Sequence, residues 1–279
     1  MQPVRLIVSD LDGTLLSDSH RLTPQVCEAV QEFTEKGGLF TFATGRPFLT
    51  VKPLAEKLGI QIPFICCNGS VIAEKEKILK ADHLPIRDLQ DLIHAADELG
   101  ITVLVFREHR IDAIRFADAV KRFEEKEKIK CHIAGSPDEL PQDDIHKILL
   151  IGDMEVIKPL WSSYAARWPN RYAAFQSEHD FLEIIPGNQS KGTAMLHLMA
   201  ELQMKKDQVM AIGNQMNDLD MIQYAGVGVA VANSPDELKA HADYICANGY
   251  GDGVVEAMTK FANIEAGAVE KNARIEKHA

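Results

Sequence analysis

The feature that most constrains this chain is a short apolar run that ends in acid. Leu6, Ile7 and Val8 lie within VRLIVSDLDGT (4–14) and lead into Asp10, Asp12, Gly13 and Thr14. An apolar run of this length, closed by turn-forming residues, reads as a buried strand. In an open parallel sheet, ligands bind just beyond the carboxyl ends of the strands. The pattern therefore places two carboxylates, two residues apart, where chemistry is expected. Extended backbone would point both side chains the same way, and Gly13 then allows a sharp turn through positive φ. Carboxylates this close repel unless a cation lies between them. Oxygen ligands in a site open to phosphate suggest Mg2+. One carboxylate could bind the metal and attack as a nucleophile while the other works as acid and base. Taken alone, D-x-D-G-T reads equally well as a solvated turn after a strand.

The rest of the chain supplies a frame for that strand. Thr23-Pro24 offers an N-cap and a first-turn proline to a helix with Val26, Ala29, Val30 and Phe33 on one face. LFTFAT (39–44) reads as a buried strand ending at Thr44-Gly45-Arg46, followed by a helix over 47–58. PFICC (63–67) is a third strand, ending at Asn68-Gly69-Ser70. Ser190 then caps a helix opened by Lys191 and Gly192, and VMAIG (209–213) is a strand ending in Asn214-Gln215-Met216-Asn217-Asp218. This alternation predicts an α/β fold, a doubly wound, Rossmann-like parallel sheet. From Asp82 the pattern changes. Helices (84–100, 115–130 and one carrying Trp161 and Trp168) mix with strands (101–106, 147–152, 171–176, 180–185) that lack acidic or glycine signals at their ends. The expected organisation is a core of 1–81 and 187–279, with an α+β domain, 82–186, inserted into it. The tail from about Glu265 reads as a frayed helix or as disordered.

Composition excludes several classes of partner. The 279 residues are 46% hydrophobic and 25% charged, ordinary for a globular chain with a proper core. A net charge of −11 argues against nucleic acid or an anionic membrane as the main partner. The five cysteines (Cys27, Cys66, Cys67, Cys131, Cys246) form no C-x-x-C pair and fit a reducing cytoplasm. Adjacent Cys66 and Cys67 read as small buried hydrophobes. No signal-peptide pattern opens the chain and no apolar run reaches membrane-spanning length. The expectation is a cytoplasmic protein, monomer or small homo-oligomer, acting on a small molecule.

Four strand or helix ends carry polar groups: DLDGTL at the amino end, ATGR in the middle, SKG after the insertion, and a late G-x-x-x-ND-x-x-M segment. Together these resemble the haloacid dehalogenase superfamily, in particular its Cof-type (subfamily IIB) phosphatases, over nearly the whole chain. The insertion lies where that branch carries its cap domain, of C2 type. The resemblance implies a Mg2+-dependent phosphatase acting on a small phosphorylated metabolite. It implies that Asp10 attacks phosphorus, and that Asp12 protonates the leaving group and then activates water. Leu11, Thr44, Gly45, Lys191 and Asn217 would hold the phosphate, and Asp10, Asp12, Asn214 and Asp218 the metal. Substrate contacts from the cap are expected around His179, Asp180 and Glu183.

One departure from the family pattern stands out. The late motif usually reads G-D-x-x-N-D, whereas this chain has Asn214 at the first acidic position. An amide oxygen brings no charge, so Mg2+ affinity is expected to fall by ~1–3 kcal/mol. Two classes therefore stay open: a working phosphatase, and a binding or regulatory protein that keeps the fold with little or no turnover.

Overall fold

The computed structural model describes residues 3–265, so the tail beyond Glu265 lies outside the described residues. From the amino end run β1 (Leu6–Ser9), α1 (Pro24–Glu35), β2 (Leu39–Phe42), α2 (Phe48–Lys57), β3 (Phe64–Cys66), β4 (Val71–Ala73) and β5 (Ile78–Ala81). Next come α3 (Gln90–Glu98), β6 (Thr102–Phe106), β7 (Ile111–Ala113), α4 (Asp118–Glu127), β8 (His132–Ile133), β9 (Lys147–Ile151), α5 (Met154–Ala165), β10 (Tyr172–Glu178) and β11 (Phe181–Pro186). The chain closes with α6 (Lys191–Glu201), β12 (Val209–Gly213), α7 (Leu219–Tyr224), β13 (Val227–Ala230), α8 (Asp236–Lys239), β14 (Tyr244–Ile245) and α9 (Tyr250–Phe261).

Two compact units result. The first comprises the described residues up to Thr44, then Pro53–Ile65, and those from Lys191 onward; the second comprises Gly45–Lys52 and Cys66–Ser190. The first unit holds a parallel sheet in the order β14-β13-β12-β1-β2. A further parallel bridge joins Ala43 to Ile65. Leu6, Ile7 and Val8 are fully buried, and β1 has a strand on each side. Thr23 Oγ1 accepts the Val26 N–H at 3.3 Å and starts α1, whose Val26, Ala29, Val30 and Phe33 are buried. From β1 the chain winds outward to β2, yet its later return places β12 on the other side of β1, with Ser9 opposite Ile212. The sense of winding thus reverses between β1 and β12, and in open α/β sheets ligands bind beyond the carboxyl ends of the strands at such a point.

The second unit is an α+β insertion in the chain of the first. Its six-stranded sheet has the order β10-β11-β9-β6-β7-β8, antiparallel except for β7 with β8. One face carries Ile148, Leu150, Leu182 and Ile184 and is covered by Leu92 and Ile93 of α3 and Ile157 of α5. Trp161 packs against this core. The other face carries Phe106, Ile111 and Leu149 and meets Val120 and Phe123 of α4.

The boundary of the insertion lies earlier than residue 82. Ser70 Oγ donates to the His146 carbonyl at 3.1 Å, and the Leu84 N–H donates to Ile145 at 2.7 Å. These bonds bring the hairpin of β4 and β5 into the second unit. That hairpin, β7, β8 and β14 are absent from the sequence-based expectation because each strand is two to four residues long, too short for an alternation to register. Among the described residues, no helix is long and apolar enough to cross a membrane.

Candidate active site

Beyond the carboxyl ends of β1 and β12 acidic side chains gather around one buried lysine. The Asp10 N–H donates to the Ile212 carbonyl at 2.8 Å, which fixes the aspartate just past the strand end. The chain then turns in a wide coil: the Leu15 N–H reaches the Asp10 carbonyl at 3.2 Å and the Leu16 N–H reaches Leu11 at 2.9 Å. Gly13 sits in this turn at φ +82°, and a Cβ there would lie 2.3 Å from the Asn214 side chain. No residue with a side chain fits that position.

Lys191, the first residue of α6, is 2% exposed. Its Nζ donates to Asp10 Oδ1 at 2.7 Å and to Asp218 Oδ1 at 2.6 Å. Asp220 supports this helix start by accepting the Gly192 N–H at 3.1 Å. Asp218 is fully buried, and its second oxygen accepts the N–H groups of Asn214 and Gln215 at 2.8 and 2.9 Å. Burial pushes the Asp10 carboxyl up to about 7; Lys191 opposes this, while Asp218 and Asp12 add repulsion. Burial acts to lower the Lys191 pKa, but the two aspartates outweigh it and hold the ammonium well above its ordinary value. The cluster therefore has one fixed cation for two buried carboxylates, with a third at Asp12.

That imbalance bears on metal binding. The Asn214 amide can sit either way round. In one orientation its nitrogen donates to Asp10 Oδ2 at 3.1 Å and to the Asp12 carbonyl at 3.0 Å. In the other, its oxygen accepts from Thr14 Oγ1 at 3.0 Å and faces those same two oxygens. Three oxygens converging this closely suit a hard cation between them, and all are ligand types that Mg2+ accepts. Among the described residues, no group of three or more His, Cys, Asp or Glu side chains forms a metal cluster. The donor set here depends instead on a backbone carbonyl and an amide. Asp218, expected among the metal ligands, has both oxygens committed to Lys191 and to the loop amides.

The remaining expected residues fall as follows. The carboxylate of Asp12 is half-exposed, 3.0 Å from Nδ1 of His20. Thr44 is buried, its N–H bonded to the Ile65 carbonyl at 2.9 Å. Leu11 is buried at the start of the turn, and Asn217 is half-buried in the loop before α7. Gly45 belongs to the second unit, where its carbonyl accepts from Lys147 Nζ at 2.7 Å. His179 and Asp180 form the tip of the β10–β11 hairpin. His179 is exposed, while Asp180 accepts from Arg122 at 2.9 Å. Glu183 is buried in that unit, bonded to Lys147, Asn68 and Ser177.

Sequence reasoning missed His20, Asp220 and Asn233. Asn233 Nδ2 donates to the Gly13 carbonyl at 2.9 Å, and its Oδ1 accepts the Tyr250 N–H at 2.9 Å, tying the Asp10 turn to α9. Nothing local in the sequence marks His20 or Asp220. Asn233-Ser234-Pro235 following GVGVAV was the only available signal for Asn233.

The parallel sheet, the winding reversal at β1 and the strand-end carboxylates define a doubly wound α/β fold with an acidic cluster at its strand ends. Residues 7–258 match the model of the haloacid dehalogenase-like hydrolases, and the chain belongs to this family. It is 29% identical over 244 residues to an HMP-PP phosphatase of Serratia proteamaculans, covering 85% of this chain and 86% of that one. It is 28% identical over 262 residues to the 5-amino-6-(5-phospho-D-ribitylamino)uracil phosphatase of Bacillus subtilis, covering 91% and 94%. A haloacid dehalogenase-like hydrolase from Bacteroides thetaiotaomicron superposes with a TM-score of 0.83 at 28% identity, covering 92% of this chain and 99% of the other. The chain is a phosphatase of the haloacid dehalogenase type, a phosphoric monoester hydrolase.

Proposed function

We propose that this chain hydrolyses small phosphorylated metabolites, sugar phosphates or phosphorylated cofactors, with Mg2+, through an aspartyl phosphate on Asp10. The observation that carries this is the Lys191 ammonium joining Asp10 to Asp218 at the mouth of the winding reversal. Both named relatives act on phosphorylated small molecules, which favours the same substrate class here.

The residues divide the work as follows. One oxygen of the Asp10 carboxylate attacks phosphorus as the ester P–O bond breaks. Asp12 gives its proton to the departing alkoxide. Asp12, again a base, then takes a proton from water as that water attacks the same phosphorus, and the bond to Asp10 breaks to release orthophosphate. Lys191 opposes the rise that burial gives the Asp10 carboxyl and faces the charge that builds on the phosphoryl oxygens. Thr44, Asn217 and the backbone amides at Leu11 and Gly45 hold those oxygens. Asp10, the Asp12 carbonyl and the Asn214 side-chain oxygen would hold Mg2+, which when bound would supply the charge that lets a phosphate approach a carboxylate. His20, beside Asp12, orients the acid–base carboxylate.

A second reading rests on Asn214. With its nitrogen turned to Asp10 and the Asp12 carbonyl, it would satisfy the site without metal. The protein would then bind phosphorylated ligands with little turnover. Hydrolysis of p-nitrophenyl phosphate with Mg2+ and with chelator separates the two. The phosphatase hydrolyses it only with Mg2+, and Asp10→Asn lowers the rate by at least ~1,000-fold. No Mg2+-dependent hydrolysis by the unaltered protein favours the binding role. The five cysteines, all free thiols, fit a reducing cytoplasm, where we place the protein.

A further inference from the structure

The second unit buries an ion pair that the chemistry above does not use. Lys147 on β9 and Glu183 on β11 are 3% and 5% exposed, and Lys147 Nζ lies 3.0 Å from Glu183 Oε2. Glu183 stands opposite Leu149 and Phe175, and Lys147 opposite Phe106. By the two-residue period of a strand, Glu183, Lys147 and Phe106 therefore lie on one face of the sheet, and Ser177 reaches Glu183 from β10.

Both oxygens of the Glu183 carboxylate and the Lys147 ammonium have partners. Glu183 Oε2 also accepts from Asn68 Nδ2 at 2.7 Å, and Oε1 accepts from Ser177 at 2.7 Å. Lys147 lies over the Phe106 ring, 4.5 Å from its centroid. Its other polar bond, 2.7 Å, is to the backbone carbonyl of Gly45. The same stretch is held at its next residue. The Arg46 carbonyl accepts the Cys67 N–H at 3.0 Å, and the Arg46 guanidinium is 3.3 Å from Glu127. Gly45 is also hemmed in, since a Cβ there would lie 3.1 Å from Glu183 and 3.2 Å from Asn68.

A buried Lys–Glu pair is a poor way to stabilise a sheet, because desolvation cancels much of the attraction. A pair kept only for stability would have no need of a carbonyl 102 positions away in sequence. We propose that Lys147 and Glu183 are a positioning pair that fixes the Gly45–Arg46 backbone and, through the Thr44–Gly45 peptide bond, the phosphate grip. Lys147 sets the direction of the Gly45 carbonyl. Glu183, itself held by Asn68 and Ser177, sets Lys147. This assigns Glu183 to the backbone rather than to substrate, and it rests on the role given above to Thr44 and Gly45.

The test is the charge-neutral double variant Lys147→Met with Glu183→Gln, which leaves no unpaired buried charge. The first readout is kinetic. With p-nitrophenyl phosphate and Mg2+, kcat falls at least ~10-fold while KM changes by less than about threefold, because a loosened grip costs most in the transition state. The second does not depend on activity. Hydrogen exchange at the Cys67 amide, bonded to Arg46, speeds up at least ~10-fold while amides of β6 and β9 keep their protection. A kcat within about twofold of the unaltered protein overturns the proposal. So does unchanged exchange at Cys67, or exchange that rises equally across β6 and β9, the mark of a purely structural pair. If the unaltered protein hydrolyses nothing, the proposed function fails and the exchange readout alone decides the positioning claim. If the double variant does not fold, Ser177→Ala loosens Glu183 more gently; selective exchange at Cys67 sustains the proposal and unaltered exchange there overturns it.

Discussion

Each unit buries one lysine among carboxylates, and the two clusters are balanced differently. In the second unit Lys147 meets one carboxylate, Glu183, and Asn68 and Ser177 fill the remaining positions. In the first unit Lys191 meets two, Asp10 and Asp218, with Asp12 close by. Asp218 is quieted by two backbone N–H groups, whereas Asp10 Oδ2 faces the Asn214 amide and a backbone carbonyl. The satisfied cluster holds a backbone still. The deficient one has its Asp10 carboxyl pushed up to about 7 by burial and by repulsion from Asp218 and Asp12. An electrostatic deficit at strand ends is thus the mark of the reacting site, and completeness is the mark of a support.

The contrast can be broken most severely at Lys191. Lys191→Met leaves two buried carboxylates facing each other and should cost ~3–5 kcal/mol of stability, read as a lower urea midpoint. Hydrolysis of p-nitrophenyl phosphate should fall at least ~100-fold even where the variant is folded. An unchanged midpoint would mean that the deficit is not real.

A second test uses pH in the second unit. His146 is 4% exposed and its ring stacks on His83 with centroids 5.2 Å apart. Burial first, then His83, pushes its pKa down to about 4, with Asp144 acting weakly against them. The unfolded chain titrates near 6.5, so between pH 6.5 and 4 it binds a proton that the folded chain refuses. Stability present at pH 7 is therefore lost as pH falls through that window, by at most ~3 kcal/mol. Urea unfolding at pH 7 and pH 4.5 measures this, and His146→Phe should remove that part of the dependence. Equal losses in the variant and the unaltered protein would refute the assignment.

The gentlest test adds charge rather than removing it. Asn214→Asp should lower the Mg2+ concentration for half-maximal activity by about tenfold, since a carboxylate replaces an amide among hard-cation ligands. It should also weaken the metal-free fold, because the deficit grows. A Mg2+ requirement that stays the same or rises removes Asn214 from the metal site.

Much of the first unit was legible in the sequence. Leu6–Val8, LFTFAT and VMAIG announce buried parallel strands because strands covered on both faces need no polar alternation. Asp10, Thr44, Lys191 and Asn214 could be picked out because each follows a strand or opens a helix. The links among them were not legible. That Asp218 would anchor Lys191 and its own loop, or that Asn233 would hold the Gly13 carbonyl, depends on contacts 27 and 220 positions apart. The second unit was less open to this approach. Glu183 was expected among the substrate contacts of the cap, but its partners Lys147, Asn68 and Ser177 come from three other segments. A lysine in KILLIG looks like a strand-end surface residue until the fold buries it.

The central claim is that the Asp10 carboxylate is the atom group that receives the phosphoryl group. Acid quenching of the protein during Mg2+-supported turnover of p-nitrophenyl phosphate, followed by peptide mass spectrometry, tests it directly. The account predicts a phosphoryl group on the aspartate of the peptide carrying Asp10, absent from Asp10→Asn. Full turnover with the label on another residue, or undiminished hydrolysis by Asp10→Asn, would contradict it.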